Sequence, residues 1–185
     1  FTKETADFIF NARDKKPIVS FANGEMASAA YYIGSSALKV FSYDSALIGS
    51  IGVYMQNVDM SKFYEDQGTK VSFIRSKPLK AVPNKFEPLE GEGLAYIQGL
   101  VDSAYRMFVS DVARYRNKST AIVENKWGTG QIFTAEEALR MGLIDKIVTS
   151  LDDVLNITAK MARKQKGVIN IKLFRTIVPK LIISP

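Results

Sequence analysis

Residues 17–33 read Pro17-Ile18-Val19-Ser20-Phe21-Ala22-Asn23-Gly24-Glu25-Met26-Ala27-Ser28-Ala29-Ala30-Tyr31-Tyr32-Ile33. The first six residues form a short, nearly continuous apolar run, as in a strand buried within a parallel sheet. Asn23-Gly24 breaks that run, because glycine and asparagine accept the backbone angles of a tight turn. From Met26 onward small and aromatic residues follow without a breaker, and residues 26–33 are expected to be helical. A strand, a turn and a helix in such close succession are the building unit of an α/β fold.

The rest of the chain extends the same alternation. Residues 4–13 place Ala6, Ile9, Phe10 and Arg13 at helical spacing. Residues 38–41 and 51–55 read as further strands. Residues 59–67 resemble a helix with Asp59 as N-cap and Gly68 as its stop. Residues 70–74 alternate in the manner of a strand, and 76–92 form a loop carrying Pro78, Pro83 and Pro88. A long helix follows from Leu94 to about Asn117, with Leu94, Ile97, Val101, Tyr105, Phe108, Val109 and Val112 along one face. Thr134 with Glu137 makes a capping box that opens a short helix, which Gly142 closes. Residues 144–148 are a strand, and Ser150 caps a last helix reaching about Lys164. The expected architecture is α/β, a mainly parallel sheet with flanking helices. The tail from Val168, apolar but carrying Lys172, Arg175 and Lys180, reads as an edge strand, an inter-subunit arm or a linker.

Composition narrows the chemistry. The chain has neither histidine nor cysteine. A cysteine nucleophile, a Ser-His-Asp triad, a disulfide framework and a Cys/His zinc site are thereby excluded within it. Hydrolytic chemistry has to use Ser, Thr, Lys, Asp, Glu or Tyr. The net charge is +6, but the basic residues are spread along the chain except at Arg163-Lys164-Gln165-Lys166, so no nucleic-acid partner is expected. No stretch reaches the roughly 18 uninterrupted apolar residues of a membrane span. The sequence opens without Met or a signal-peptide pattern, as the interior of a longer protein would.

Ser28 stands near the start of the expected helix, where unpaired N–H groups and the positive dipole end favour developing negative charge. Its neighbours Ala27, Ala29 and Ala30 are small enough to let a peptide backbone approach the hydroxyl. On spacing alone, a small-residue helix packed tightly on the sheet is the favoured reading of the segment. A lysine is the usual alternative base to histidine. With an ordinary pKa near 10.4 it is protonated at neutral pH, so it must be desolvated to act, and burial lowers such a pKa by up to about 3–5 units. Lys80, Lys39 and Lys180 all have apolar flanks, and this criterion does not choose among them.

Residues 23–33 resemble the nucleophile segment of the signal peptide peptidase A family. Gly49-Ser50-Ile51-Gly52-Val53 resembles that family's second signature, and residues 132–145 match its closing segment in order and type. The Ala-Leu-x-x-Gly-Leu-x-Asp pattern within that segment recurs across the wider ClpP/crotonase-like fold. The resemblance implies a serine protease with Ser28 as nucleophile and, by position after a strand and before a proline loop, Lys80 as general base. Lys77 is a competitor in a shifted register. Gly49 and Ser50 are implied to shape the substrate side of the site. No metal or organic cofactor is implied, the substrate is a protein or peptide, and a homo-oligomer is expected. The family's oxyanion-hole glycines are expected before Phe1. Residues 1–166 would then be a protease domain lacking its N-terminal strand and oxyanion segment, with 167–185 as a C-terminal arm or linker.

Residues 58–68 and 84–89 resemble the phage head-maturation (prohead) branch, which implies cleavage of scaffold or capsid proteins in the bacterial cytoplasm. The alternative is a cellular signal peptide peptidase at the membrane. Two further readings share the scaffold: a crotonase-like acyl-CoA enzyme, and an assembly protein without activity.

Overall fold

The computed structural model describes residues 1–164. The tail expected at 167–185 lies outside the described residues. The chain divides into two units, one holding residues 1–51 and the chain from Val109 on, the other Gly52–Phe108.

In the first unit the apolar run becomes β1 (Val19–Ala22), preceded by α1 (Thr2–Ala12). It pairs in parallel with β3 (Lys39–Ser42), Val19 opposite Lys39 and Ala22 opposite Ser42. The other side of β3 takes β6 (Lys146–Ile147), again in parallel. A second three-stranded sheet has the order β2 (Glu25–Ala27), β4 (Leu47–Gly49), β5 (Ile132–Thr134), with β2 and β4 parallel and β5 antiparallel. The mainly parallel α/β architecture is therefore present. β3 is the strand buried most completely, with Val40, Phe41 and Ser42 enclosed, whereas Val19, Ser20 and Phe21 of β1 are half-buried.

Helices cover these sheets. α2 (Ala29–Ser35) buries Tyr31 and Tyr32. α6 (Ala135–Met141) has the expected capping box between Thr134 and Glu137 and ends at Gly142 in the left-handed region. α7 (Leu151–Lys164) opens with Asp153 N–H donating to Ser150 Oγ (3.1 Å) and sets Val154 and Ile157 against Phe41 and Val148.

The second unit holds α3 (Ser61–Asp66) and the start of α4 (Gly91–Arg116), whose last two turns belong to the first unit. In the first unit α4 buries Val109, Val112, Ala113 and Tyr115. In the second, Ile97 and Phe108 are buried while Leu94 stands about half exposed, so the expected apolar face is only partly covered.

Several expectations are corrected. Residues 25–27 are a strand, not the start of a helix, because they find a sheet partner in β4 and that pairing overrides local propensity. The strand expected at 51–55 lies instead at 47–49, and residues 52–60 have no ladder among the described residues. Residues 70–74 likewise have no strand partner, and Val71 and Ile74 are exposed. α3 has Met60, not Asp59, at its N-cap, while Asp59 Oδ1 accepts from Ser61 N–H (2.8 Å) in a local turn. α4 begins at Gly91, inside the expected loop. A short α5 (Thr120–Ile122) runs into a π-helical turn, Val123–Trp127. It is closed by Gly128 N–H to Val123 O (2.6 Å), with both Val123 and Trp127 fully buried.

A polar cluster ties α1 and α2 to the end of α4. Asp111 accepts from Lys3 Nζ (2.8 Å), Arg114 Nη2 (3.0 Å) and the Tyr32 hydroxyl. Asp7 accepts from the Tyr115 hydroxyl (2.7 Å) and from Arg114. Burial pushes the Asp111 carboxyl up, but the bonds from Lys3, Tyr32 and Arg114 outweigh it and hold it below the usual range. Asp7 is lowered as well, chiefly by Tyr115 and Arg114. A carboxylate lowered in the fold contributes stability that is complete above its unfolded pKa of about 3.9 and is lost as pH falls through the folded value. Asp111→Asn should therefore cost about 3 kcal/mol near pH 7, where a partly buried charge network is broken. The loss should shrink below about pH 4, where wild type gives up the same contribution. Urea titrations of both proteins at pH 7 and pH 3 measure the difference.

Candidate active site

Ser28 is the single residue between β2 and α2, and it is exposed. Its N–H donates to Gly49 O (2.8 Å), extending the β2–β4 ladder by one bond, and its own carbonyl accepts the first helical bond from Tyr32 N–H (2.9 Å). To serve both strand and helix, the backbone adopts φ 51° and ψ −122°. That region is costly for a residue with a Cβ, by about 1–3 kcal/mol. Strain of this kind at a strand-to-helix turn lifts a serine hydroxyl out of the sheet, the geometry a nucleophile requires.

The partner strand is just as constrained. Gly49 has φ +120°, and a Cβ there would lie 2.9 Å from Gln131 O and 3.0 Å from the Phe133 ring. Ser50 follows with φ 52°, donates its N–H to Gln131 O (2.7 Å) and is half-buried. Ala27 sits opposite Gly49 in the ladder. Ser28, Gly49 and Ser50, more than twenty positions apart in the chain, are thus brought together by one pair of strands.

Two tyrosines then hold α2 in place behind Ser28. The Tyr31 hydroxyl, fully buried, donates to Leu143 O (2.8 Å), and the Tyr32 hydroxyl donates to Asp111. Burial pushes both phenols well above their ordinary range, so they remain donors at every working pH. Both rings, like that of Trp127, belong to the buried core. The partners of their hydroxyls lie far along the chain, and no local signal could have named Asp111 or Leu143.

Lys80 lies in the second unit, in the turn that follows Lys77, where Lys80 N–H donates to Lys77 O (3.0 Å). Both lysines are exposed. The dry surroundings expected from the flanks of Lys80 are not there in the single chain. Leu79 and Val82 turn towards a cavity of about 230 Å³ that they line with Pro83 and Leu89, and Lys80 is not part of its wall. In a tight turn, with Ala81 at φ 69°, sequence neighbours do not share surroundings. The loop is held by Arg75 to Glu87 (2.6 Å), by Asn84 Nδ2 to Ala81 O (2.9 Å) and by Phe86 N–H to Asn84 Oδ1 (2.9 Å).

The first unit is thus a largely parallel α/β core that presents an exposed serine at a strand-to-helix turn. Residues 11–166 match the model of peptidase family S49, and the chain belongs to that family. Among its relatives are capsid assembly protease C of Escherichia phage lambda and the chloroplastic serine protease SPPA of Arabidopsis thaliana. The first is 29% identical over 82% of this chain and 34% of its own length. The second is 27% identical over 72% and 20%. The chain spans half or less of the length of the curated relatives it matches. A solved structure of the 1510-N membrane-bound stomatin-specific protease, in a mutant form, has the same fold, with a TM-score of 0.50 at 17% identity, covering 84% of this chain and 60% of that one. Among the described residues no helix is long and apolar enough to cross a membrane.

The strain at Ser28 is open to measurement. Ser28→Gly should raise stability by about 1 kcal/mol, because glycine accepts this backbone, whereas Ser28→Ala should leave it nearly unchanged. Gly49→Ala should cost about 3 kcal/mol from the same torsional origin plus the close approach to Gln131. Equilibrium urea denaturation of the three variants ranks them.

Proposed function

We propose that the protein is a serine endopeptidase with Ser28 as nucleophile and Lys80 as general base, which cleaves scaffold or capsid proteins during the maturation of a phage or prophage head. The observation that carries this reading is the strained, exposed Ser28 in a chain that has no histidine or cysteine to offer as an alternative.

Neutral Lys80 takes the hydroxyl proton as Ser28 Oγ attacks the peptide carbonyl. The tetrahedral adduct collapses, the C–N bond breaks, and the protonated lysine returns the proton to the leaving amine. Lys80 next deprotonates a water, which attacks the acyl ester; as the C–Oγ bond breaks, the protonated lysine returns that proton to Ser28 Oγ and the free enzyme is restored. Gly49 and Ser50, fixed beside Ser28 by the β2–β4 pairing, shape the substrate side. The lysine must be desolvated to be neutral at physiological pH. Because Lys80 is exposed in the single chain, the working enzyme covers it with substrate or with another copy of itself. Tyr54, Met55, Val58 and Ile74, large apolar side chains of the second unit that stand in solvent, support a homo-oligomer. The phage role is supported by the lambda relative and by the resemblance of residues 58–68 and 84–89 to the prohead branch.

The test is proteolysis by the intact gene product, scored on its own chain, on a candidate scaffold protein and on a signal peptide. Ser28→Ala and Lys80→Ala should each lower the rate by at least about a thousandfold at matched folding, while Lys77→Ala keeps it. Cleavage that survives Ser28→Ala would overturn the assignment. A preference for the signal peptide would move the role to the membrane-associated branch.

A further inference from the structure

At the C-terminal end of α4, within the first unit, lies a cavity of about 300 Å³ lined by Arg13, Lys39, Arg116, Lys118, Asn117 and Asp145, among others. Four cationic side chains face one carboxylate there. Both oxygens of Asp145 are engaged: Oδ1 pairs with Lys39 Nζ (2.9 Å), while Oδ2 takes Arg116 Nη1 (2.8 Å) and Val40 N–H (2.8 Å). Arg13 and Lys118 have no carboxylate partner among the described residues.

The two arginines are held rigidly. Arg13 Nη1 donates to Ser36 O (3.1 Å), Ala37 O (3.1 Å) and Tyr115 O (3.0 Å). Arg116 Nη2 donates to Gly142 O (3.2 Å), and its side chain is only 8% exposed. The carbonyl ends of the neighbouring helices, which would repel an anion, are therefore already covered by guanidinium N–H groups. Both Nε groups are buried without a partner, so neither guanidinium has its full set of acceptors. Burial, with the charges of Arg116 and Arg114 nearby, lowers Arg13 against the pull of Asp14 and Asp145. Nη2 of Arg13 makes none of the bonds above.

We propose that this cavity is a binding site for a phosphate group, received by Arg13 and Lys118 with Lys39 and Arg116 supplying the surrounding field. Fixed guanidinium donors beside an exposed lysine suit a tetrahedral oxyanion, since little ordering of the arginines is left to be done on binding. A cavity of this size has room beyond the phosphate itself, so a small phosphate ester fits as well as the free ion. The site stands apart from Ser28 and does not depend on the peptidase reading.

The experiment is thermal unfolding and isothermal titration of the full chain with inorganic phosphate and, separately, glycerol 3-phosphate, against sodium chloride at matched ionic strength. Phosphate should raise the melting temperature beyond chloride, as any ligand selective for the folded state does. Lys118 is exposed, so Lys118→Glu should fold normally and weaken phosphate binding by at least about tenfold. Lys160→Glu, an exposed charge change on α7, should leave binding as it is and excludes an effect of net charge alone. Tighter binding of glycerol 3-phosphate would identify an ester as the natural ligand, and equal binding the free ion. No stabilisation beyond that of chloride, or stabilisation that Lys118→Glu leaves intact, would overturn the site.

Discussion

The hydrogen bond from Ser28 N–H to Gly49 O is the constraint on which the rest of the site depends. It forces Ser28 to remain in register with β4 for one residue beyond the strand, while the carbonyl of the same residue already starts a helix. No ordinary backbone conformation satisfies both, and the positive φ is the compromise. The compromise persists because its surroundings over-determine it. Met26 is buried beneath Gly34, whose missing Cβ lets α2 approach closely. Tyr31 and Tyr32 then fasten the helix to Leu143 and Asp111 through their hydroxyls. Removing any one of these leaves the others to hold the turn, so the strain is distributed over a network instead of resting on one contact.

The same logic explains which parts of the structure could be read in advance. β1, α1, α6 with its capping box, and α7 with Ser150 as cap are determined by residues within a few positions of one another, and each stands where the pattern placed it. The segment around Ser28 carried its message in small residues, and the helix does begin beside that serine. What escaped were features created by distant partners. β2 exists because β4 lies next to it, and β5 because Gly49 leaves room for Gln131 and Phe133. Residues 51–55 and 70–74 have the β-branched and aromatic composition of strands, yet composition cannot supply a neighbour to pair with.

Lys80 illustrates a different limit. Its flanks are apolar in sequence, and from them a dry environment was expected. In the turn, Leu79 and Val82 point into a cavity that Lys80 does not line. Hydrophobic flanks predict burial only where backbone periodicity is regular, as in a helix or strand. In a turn each side chain leaves in its own direction, and the lysine's surroundings are set by whatever else meets that surface.

Charge is subject to the same reasoning. A net charge of +6 is one number for cations that do different work. Arg114 is spent on Asp7 and Asp111, and Arg75 on Glu87. Arg13 covers helix-end carbonyls, where positive charge is favoured by the dipole whether or not an anion is present. Such a residue contributes to the isoelectric point while offering only part of itself to a partner. The basic character that composition reports is therefore partly internal architecture. Around Asp145, by contrast, four cations line one cavity with a single carboxylate, and the proposed phosphate site rests on that imbalance.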